Sequence, residues 1–146
     1  MTTYNQTDKQ IMIHTFNSRD KSRLQELINF AKESGLKKIG IANCKAVQPY
    51  AEKLKELLED AGFEVLSINC KDSGLNGRCI SDEISGPSCD PIFQAEYLNQ
   101  QGTELNINVG LCLGHGIIFA KYSIAPVTTF IVKDFNYNHN PLEYLK

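Results

Sequence analysis

Two hydrophobic spacings alternate along most of the chain. Segments with apolar residues three and four positions apart, as on one face of a helix, are followed by short apolar runs that are typical of buried strands. The helical spacing predicts helices at residues 22–34, 49–62, 89–102 and about 115–122. The apolar runs predict strands at residues 37–44, 63–70, 105–112 and 127–133. A helix therefore separates each predicted strand from the next one.

This alternation determines the expected architecture. Strands that are separated by helices pair in parallel through right-handed crossovers, with helices on both faces of the sheet. The sequence therefore predicts an α/β protein, a three-layer α/β/α sandwich around a mostly parallel, Rossmann-like sheet of about four strands. Residues 21–146 are expected to form this single domain, and residues 1–20, which are mostly polar, are expected to form an N-terminal arm. Residues 71–88 have no periodicity and are expected to form a long loop.

Composition narrows the classes of partner. The chain has 146 residues, with 15 basic and 17 acidic side chains and a net charge of −2. This balance gives no general attraction to nucleic acid or anionic lipid, and no apolar run approaches the roughly 20 residues that span a bilayer. Because the first residues lack the features of a secretory signal, we expect a cytoplasmic protein with reduced thiols. The expected partner is a small-molecule ligand or substrate, without nucleic acid or membrane, and a homo-oligomer is left open.

Five cysteines carry the strongest chemical signal. Cys44, Cys70 and Cys112 each end a predicted strand, and the carboxyl ends of parallel strands share one edge of a sheet, where ligands bind. Cys89 opens a predicted helix whose N-terminus faces the same edge, and free N–H groups there favour thiolate. Four thiols at one edge are the composition of a metal site, with an iron–sulfur cluster or Zn²⁺ as the expected cofactor. Cys79 lies in the long loop and is interpreted as incidental or as a thiol that closes over the site.

Further candidates lie in the turns at this edge. His115, three residues after the last cysteine, is predicted to be a metal ligand or a general acid–base group. The glycines on either side of it, Gly114 and Gly116, are predicted to contact a cofactor, because glycine lets the backbone approach an anion closely. An ordinary strand-to-helix turn would use these glycines equally well. His139 and Asp134 follow the last predicted strand at the same edge, and Asp134 is a candidate to orient a histidine.

Three classes of function are open on these residues. The leading hypothesis is a metal-binding protein whose thiolate site serves redox, sulfur-transfer or sensing chemistry on a small molecule. A metal-free thiol enzyme would use Cys89 or Cys112 as its nucleophile together with His115. A non-catalytic module would bury its cysteines as ordinary core residues. The distances between the cysteine sulfur atoms distinguish a zinc ion from an iron–sulfur cluster. Two ligands of one zinc ion lie roughly 3.5–4.5 Å apart, whereas two ligands of a cubane cluster lie about 6–7 Å apart.

Motifs in most of residues 22–146 resemble an uncharacterised family of predicted metal-binding proteins, domain of unknown function eighteen-forty-seven. The similar segments are Lys38-Ile39-Gly40-Ile41-Ala42-Asn43-Cys44, Cys89-Asp90-Pro91-Ile92, Gln94-Ala95, Leu98-Asn99, Leu105-Asn106-Ile107, Gly110-Leu111-Cys112-Leu113-Gly114-His115, Lys121-Tyr122-Ser123, Ala125-Pro126-Val127-Thr128-Thr129, Val132-Lys133-Asp134 and His139-Asn140-Pro141. The run from residue 89 onward carries most of the resemblance.

The resemblance implies a thiolate-rich metal site made by Cys44, Cys70, Cys89 and Cys112. Two departures from the family pattern restrict what can be carried over. The family has an additional cysteine-rich segment near its N-terminus, whereas residues 1–35 contain no cysteine here, so a second metal site is not carried over. The family also favours an acidic residue directly after the Gly-His pair, where this chain has Gly116.

Overall fold

The computed structural model describes residues 2–146, which form one parallel sheet with helices on both faces. The strands are β1 (Lys38–Asn43), β2 (Glu64–Asn69), β3 (Leu105–Val109) and β4 (Val127–Ile131). The helices are α1 (Gln6–Ser18), α2 (Arg23–Glu33), α3 (Gln48–Asp60), α4 (Pro91–Gln101) and α5 (Leu113–Tyr122), and short 3₁₀ turns lie at Lys45–Val47, Gly77–Cys79 and Pro141–Leu145. All strand pairs are parallel, in the spatial order β2-β1-β3-β4. The predicted α/β architecture and its mostly parallel sheet are confirmed.

The two faces of the sheet bury separate apolar cores. On one face, α2 and α3 cover strand side chains that include Ile39, Ile41 and Ile107, all of them fully buried. On the other face, α4 and α5 pack against Ala42 and Ile68. Burying one isoleucine fully contributes roughly 2 kcal/mol to folding. The helices on both sides of the sheet give the three layers that the sequence predicts.

Local signals place the start of α4 at the carboxyl edge of the sheet. The side chain of Asp90 accepts a hydrogen bond from the N–H of Phe93 at 3.0 Å and caps the helix. Pro91 occupies its first turn, where no backbone donor is needed. The N–H of Asp90 also donates to the carbonyl of Cys70 at 2.7 Å. These bonds fix Cys89, the residue before the cap, beside the end of β2.

Helix α1 lies in the segment that the sequence predicts to be an N-terminal arm, where the pattern predicts no helix. The side chain of Asn5 caps the helix by accepting a hydrogen bond from the N–H of Asp8 at 2.8 Å, and α1 packs on α2. Its apolar residues Ile11, Met12 and Ile13 are consecutive, so they do not have the spacing that predicts a helix. All three are exposed in the structure. No helix within residues 2–146 has the length and apolar character that crossing a membrane requires.

Strand β3 is shorter than predicted. It ends at Val109 because Gly110 adopts a left-handed conformation with φ of 65° and turns the chain. A Cβ atom at Gly110 would lie 2.9 Å from the side chain of Val47, so the turn packs tightly against the one that follows β1. Cys112 is consequently the N-cap of α5 rather than the last residue of a strand.

Residues 71–88 fold into a compact lobe. Asn76 and Pro87 form an antiparallel bridge, and the N–H of Gly77 donates to the carbonyl of Gly86 at 2.8 Å. Gly77 is buried against Ile84 so closely that any side chain at this position would overlap it. The expected loop therefore has a defined internal structure.

Candidate functional site

The four predicted cysteines gather at the carboxyl edge of the sheet. Cys44 directly follows β1 and Cys70 directly follows β2, and the last residues of these two strands are paired in the ladder. Cys112 reaches the same edge from the turn after β3, and Cys89 reaches it from the start of α4. The convergence follows from topology, because all carboxyl ends of a parallel sheet face one way.

Two of the four thiols are in direct contact, and the other two are close to them. The Sγ atoms of Cys70 and Cys89 are 3.4 Å apart. The Cys44 thiol is close enough to both Cys70 and Cys112 to act on their pKa values. We call these four residues the thiol cluster. All four are free thiols, Cys44 and Cys70 buried and the other two half-buried.

Backbone donors of the turn after β1 point at two of these sulfur atoms. The N–H of Lys45 donates to Cys70 Sγ at 3.3 Å, and the N–H of Ala46 donates to Cys44 Sγ at 3.5 Å. Hydrogen bonds donated to sulfur favour its charged form. The 3₁₀ turn at Lys45–Val47 therefore presents donors that suit thiolates.

Lys133 is a member of the site that the sequence analysis missed. Its Nζ is buried and has no hydrogen-bond partner within residues 2–146. Its positive charge is close enough to lower the pKa of the Cys44 thiol, and Nζ lies 4.6 Å from the centre of the Phe135 ring. A signal existed in the sequence, since Lys133 is two residues beyond Ile131, whose side chain packs into the core beside Cys44, and alternate residues of an extended chain share a face.

The surroundings separate the thiol pKa values. Burial acts to raise the pKa of Cys44, but the positive charge of Lys133 and the hydrogen bond from the Ala46 N–H outweigh it, so the pKa is lower than usual. Burial, partly opposed by the Lys45 N–H, raises the pKa of Cys70 to about 12. Burial also raises the pKa of Cys112, reinforced by the neighbouring Cys44. The cluster thus combines one thiol that ionises readily with two that hold their protons.

The predicted residues around His115 lie in the first turns of α5. His115 itself is half-buried, and no hydrogen bond to a thiol is present for it among the described residues. Gly114 is exposed, with open space around it. A Cβ atom at Gly116 would lie 2.9 Å from the side-chain nitrogen of Asn108, so close packing of α5 on β3 explains this glycine. A cofactor role for these glycines, and a ligand or acid–base role for His115, stay predictions.

The segment after β4 folds back on itself beside Lys133. The N–H of Asp134 donates to Nδ1 of His139 at 3.1 Å, so this histidine is oriented by the backbone of Asp134 and not by its carboxylate. The Asp134 carboxylate instead accepts from Asn136, Tyr137 and the hydroxyl of Tyr144. Phe135, which covers the Lys133 ammonium, also makes an edge contact with the His139 ring.

The thiols meet in pairs rather than around a single point. Within residues 2–146, no group of three or more His, Cys, Asp and Glu side chains is already arranged to hold a metal ion. Cys79 is exposed in the lobe of residues 71–88 and does not belong to the cluster. What the structure brings together is therefore the predicted set of four thiols, with two backbone donors and one buried ammonium directed at it.

Comparison with known proteins identifies the family. The sequence profile of a family described as "Protein of unknown function (DUF1847)" matches residues 2–130. The uncharacterized protein MJ0455 of Methanocaldococcus jannaschii is 48% identical over 125 residues, which represent 82% of this chain and 64% of that protein. The chain thus spans less than two thirds of the length of this relative, and neither description states an activity. The protein belongs to the DUF1847 family of proteins of unknown function.

Proposed function

We propose that the thiol cluster is a binding site for a single divalent, thiophilic metal ion, with zinc as the best fit. The observation that carries this proposal is the direction of the donors around the sulfur atoms. The N–H groups of Lys45 and Ala46 donate to sulfur, and the positive charge of Lys133 lowers the pKa of the Cys44 thiol. Donors in this arrangement stabilise thiolates, which are the form of cysteine that binds metal. A cysteine that only fills a core gains little from them.

The spacing of the sulfur atoms supports zinc over a cubane cluster. The distance between Cys70 Sγ and Cys89 Sγ is 3.4 Å, close to the roughly 3.5–4.5 Å between two ligands of one zinc ion. Two ligands of a [4Fe–4S] cluster would be about 6–7 Å apart. Binding would replace the pairwise thiol contacts by shared coordination of one ion.

The donor set supports the same class of metal. Four thiols are soft ligands that select zinc and similar ions, whereas Mg²⁺ and Ca²⁺ need the oxygen ligands that this cluster lacks. Four thiolates would also fill every position of a tetrahedral ion. Of the roles predicted from the sequence, sensing fits a closed site of this kind best, because redox and sulfur-transfer chemistry on a small molecule needs an open position.

Anaerobic titration of the full chain with Co²⁺, a spectroscopic substitute for zinc, tests this proposal. We expect one ion to bind per chain, with strong thiolate-to-cobalt charge-transfer absorption and the visible bands of a tetrahedral complex. A C70S/C89S double variant should bind Co²⁺ more than about 100-fold more weakly, because it loses two ligands. Metal analysis of the anaerobically purified protein identifies the native ion.

The matched control is C79S, which removes the exposed thiol of the lobe and should bind Co²⁺ like the wild type. Absence of charge-transfer absorption in the wild-type titration would contradict the proposal. Equal affinity in the wild type and the double variant would contradict it as well. If the purified protein contains iron and has broad visible absorption, the zinc assignment is wrong and the same thiols hold an iron–sulfur cluster.

A metal-free, redox-active dithiol is the second candidate, favoured by the contact between Cys70 and Cys89. It differs from the sequence-based enzyme hypothesis, in which Cys89 or Cys112 acts with His115. The raised pKa of Cys112 makes this thiol a weak nucleophile at neutral pH. Purified protein without metal, in which peptide mapping finds a reversible disulfide between residues 70 and 89, would favour the dithiol.

A further inference from the structure

The buried ammonium of Lys133 lacks a paired counter-charge, and the proposed thiol ligands alone do not explain why it is there. A buried ammonium without a hydrogen-bonded counter-charge is costly, so such groups are normally paired. Four salt bridges occur among residues 2–146, and none of them includes Lys133. The nearest carboxylate in sequence, Asp134, is occupied by the N–H groups of Asn136 and Tyr137.

The ammonium lies over an aromatic ring and is close enough to Cys44 to lower the pKa of its thiol. The Phe135 ring lies 4.6 Å from Nζ and attracts a cation through its face. The sulfur of Cys44 lies on the side of the thiol cluster. Ile131, two residues earlier, packs into the same core as Cys44 and Cys70, which fixes the direction of Lys133 toward the cluster.

We propose that Lys133 is the charge-setting residue of the thiol cluster, and that its ammonium offsets one negative charge of a divalent metal–tetrathiolate complex. Four thiolates around a divalent ion carry a net charge of −2, and one ammonium beside them reduces this to −1. Lys133 acts through the sulfur of Cys44 and does not touch the ion, so it is a positioning residue. This inference rests on the proposed metal function.

The test compares K133M, which removes the charge from a chain of similar length, with K133R, which keeps it. Zn²⁺ affinity of the full chain is measured by competition with a chromophoric chelator. Because groups next to metal ligands typically change affinity 10- to 100-fold, K133M should raise the Kd by about that factor. K133R should recover most of the wild-type affinity, because it restores the positive charge.

Thermal unfolding of the metal-free variants provides the readout that a merely structural lysine would not give. Replacing a buried charge by an apolar side chain of similar volume is often neutral or stabilising. Metal-free K133M should therefore be as stable as the wild type or more stable, although it binds Zn²⁺ more weakly. A lysine that only supports the fold would instead lower the stability of the metal-free protein.

The matched control is K121M, since Lys121 also lies over an aromatic ring, that of Tyr122 at 5.5 Å, but is exposed on α5. It should leave the Zn²⁺ affinity unchanged. Unchanged affinity in K133M, equally weak binding in K133R, or reduced stability of metal-free K133M would each overturn the inference. If the wild type itself binds no Zn²⁺, the proposed function fails and this inference fails with it.

Discussion

The amino and carboxyl ends of the strands form two edges of the sheet, and these edges differ in whether the fold provides hydrogen-bond partners for their polar groups. At the amino edge, Oε1 of Glu104 accepts from the N–H groups of Lys37 and Lys38 at 2.9 and 3.0 Å. Arg23 of α2 donates to the side chain of Thr128 and to the carbonyl of Thr129. The amino edge thus uses its charged groups to hold strands and helices together.

The carboxyl edge leaves several buried polar atoms without such partners. The Lys133 ammonium and the side-chain oxygens of Asn43 and Gln94 are buried, and no hydrogen-bond partner is present for them among the described residues. The thiol cluster lies at this edge and receives two N–H donors from the turn after β1. Polar atoms that the fold does not satisfy indicate an edge organised around something other than the fold itself.

A cavity of about 380 Å³ lies near the amino edge, between the N-terminal helices and the start of β4, lined by residues such as Ile11, Phe30 and Phe130. Its charged residues, Arg23, Glu26 and Glu104, are already hydrogen-bonded within the protein. Under the proposed function, the carboxyl edge is distinguished by buried polar atoms that lack hydrogen-bond partners among the described residues, and not by this cavity.

The largest expected effect is the pH dependence of metal binding at the carboxyl edge. The thiols of Cys70 and Cys112 have raised pKa values and are protonated at neutral pH, so each must lose a proton when it becomes a ligand. Release of at least two protons per ion means that the apparent Kd for Zn²⁺ should rise about 100-fold for each unit by which the pH falls. Chelator competition at several pH values measures this slope. A Kd that does not change with pH would contradict ligation by these two thiols.

A smaller effect is expected from Gly110→Ala, which strains the turn that carries Cys112. The residue has φ of 65°, and an added Cβ atom would lie 2.9 Å from Val47, so the free energy of unfolding should fall by about 2 kcal/mol. Urea denaturation checks this value. Gly114→Ala is the matched control, because nothing lies within 4 Å of its Cβ position. It should leave stability unchanged or raise it by up to about 1 kcal/mol, and a loss equal to that of G110A would count against the account of the turn.

The smallest effect belongs to the amino edge and sharpens the contrast. Glu104→Ala removes the acceptor of two backbone hydrogen bonds and should lower the free energy of unfolding by about 1 kcal/mol, with Zn²⁺ affinity unchanged. The N–H groups of Lys37 and Lys38 hold the pKa of Glu104 below its usual value. The stabilisation is therefore present above the unfolded-state pKa and is lost as the pH falls through the lower folded-state pKa.

Unfolding of E104A at several pH values, with E104Q as the control that keeps one acceptor oxygen, measures this contribution. The gap between the wild type and E104A should close in acid. A change in Zn²⁺ affinity in either variant would show that the two edges are coupled and would remove the contrast between them.

Most of the fold follows from periodicity, and its failures have physical reasons. The four strands are recognisable because buried parallel strands are short apolar runs between helices. Periodicity does not predict helix α1, because its apolar residues are consecutive and remain exposed. The end of β3 is misplaced because the apolar run continues through Leu111 and Cys112, although the left-handed turn at Gly110 has already ended the ladder.

The site is predictable where topology controls it and not where side-chain direction does. Cys44 and Cys70 converge because they end adjacent strands, which the alternation of strands and helices implies. Lys133 could not be identified with the same reasoning, because a lysine at the end of an edge strand is ordinarily solvated. The position of His115 in the sequence did not determine whether its side chain would bond to the thiols, and no such hydrogen bond is present among the described residues.

X-ray absorption at the zinc edge of the zinc-loaded full chain measures the number and type of atoms that bind the ion, and so tests whether four thiols hold a single zinc ion. The account predicts about four sulfur atoms at roughly 2.3 Å from the ion and no metal–metal scattering. A first shell made of nitrogen and oxygen atoms, or a cluster signature with metal–metal scattering, would contradict the assignment of a single ion to the four thiols.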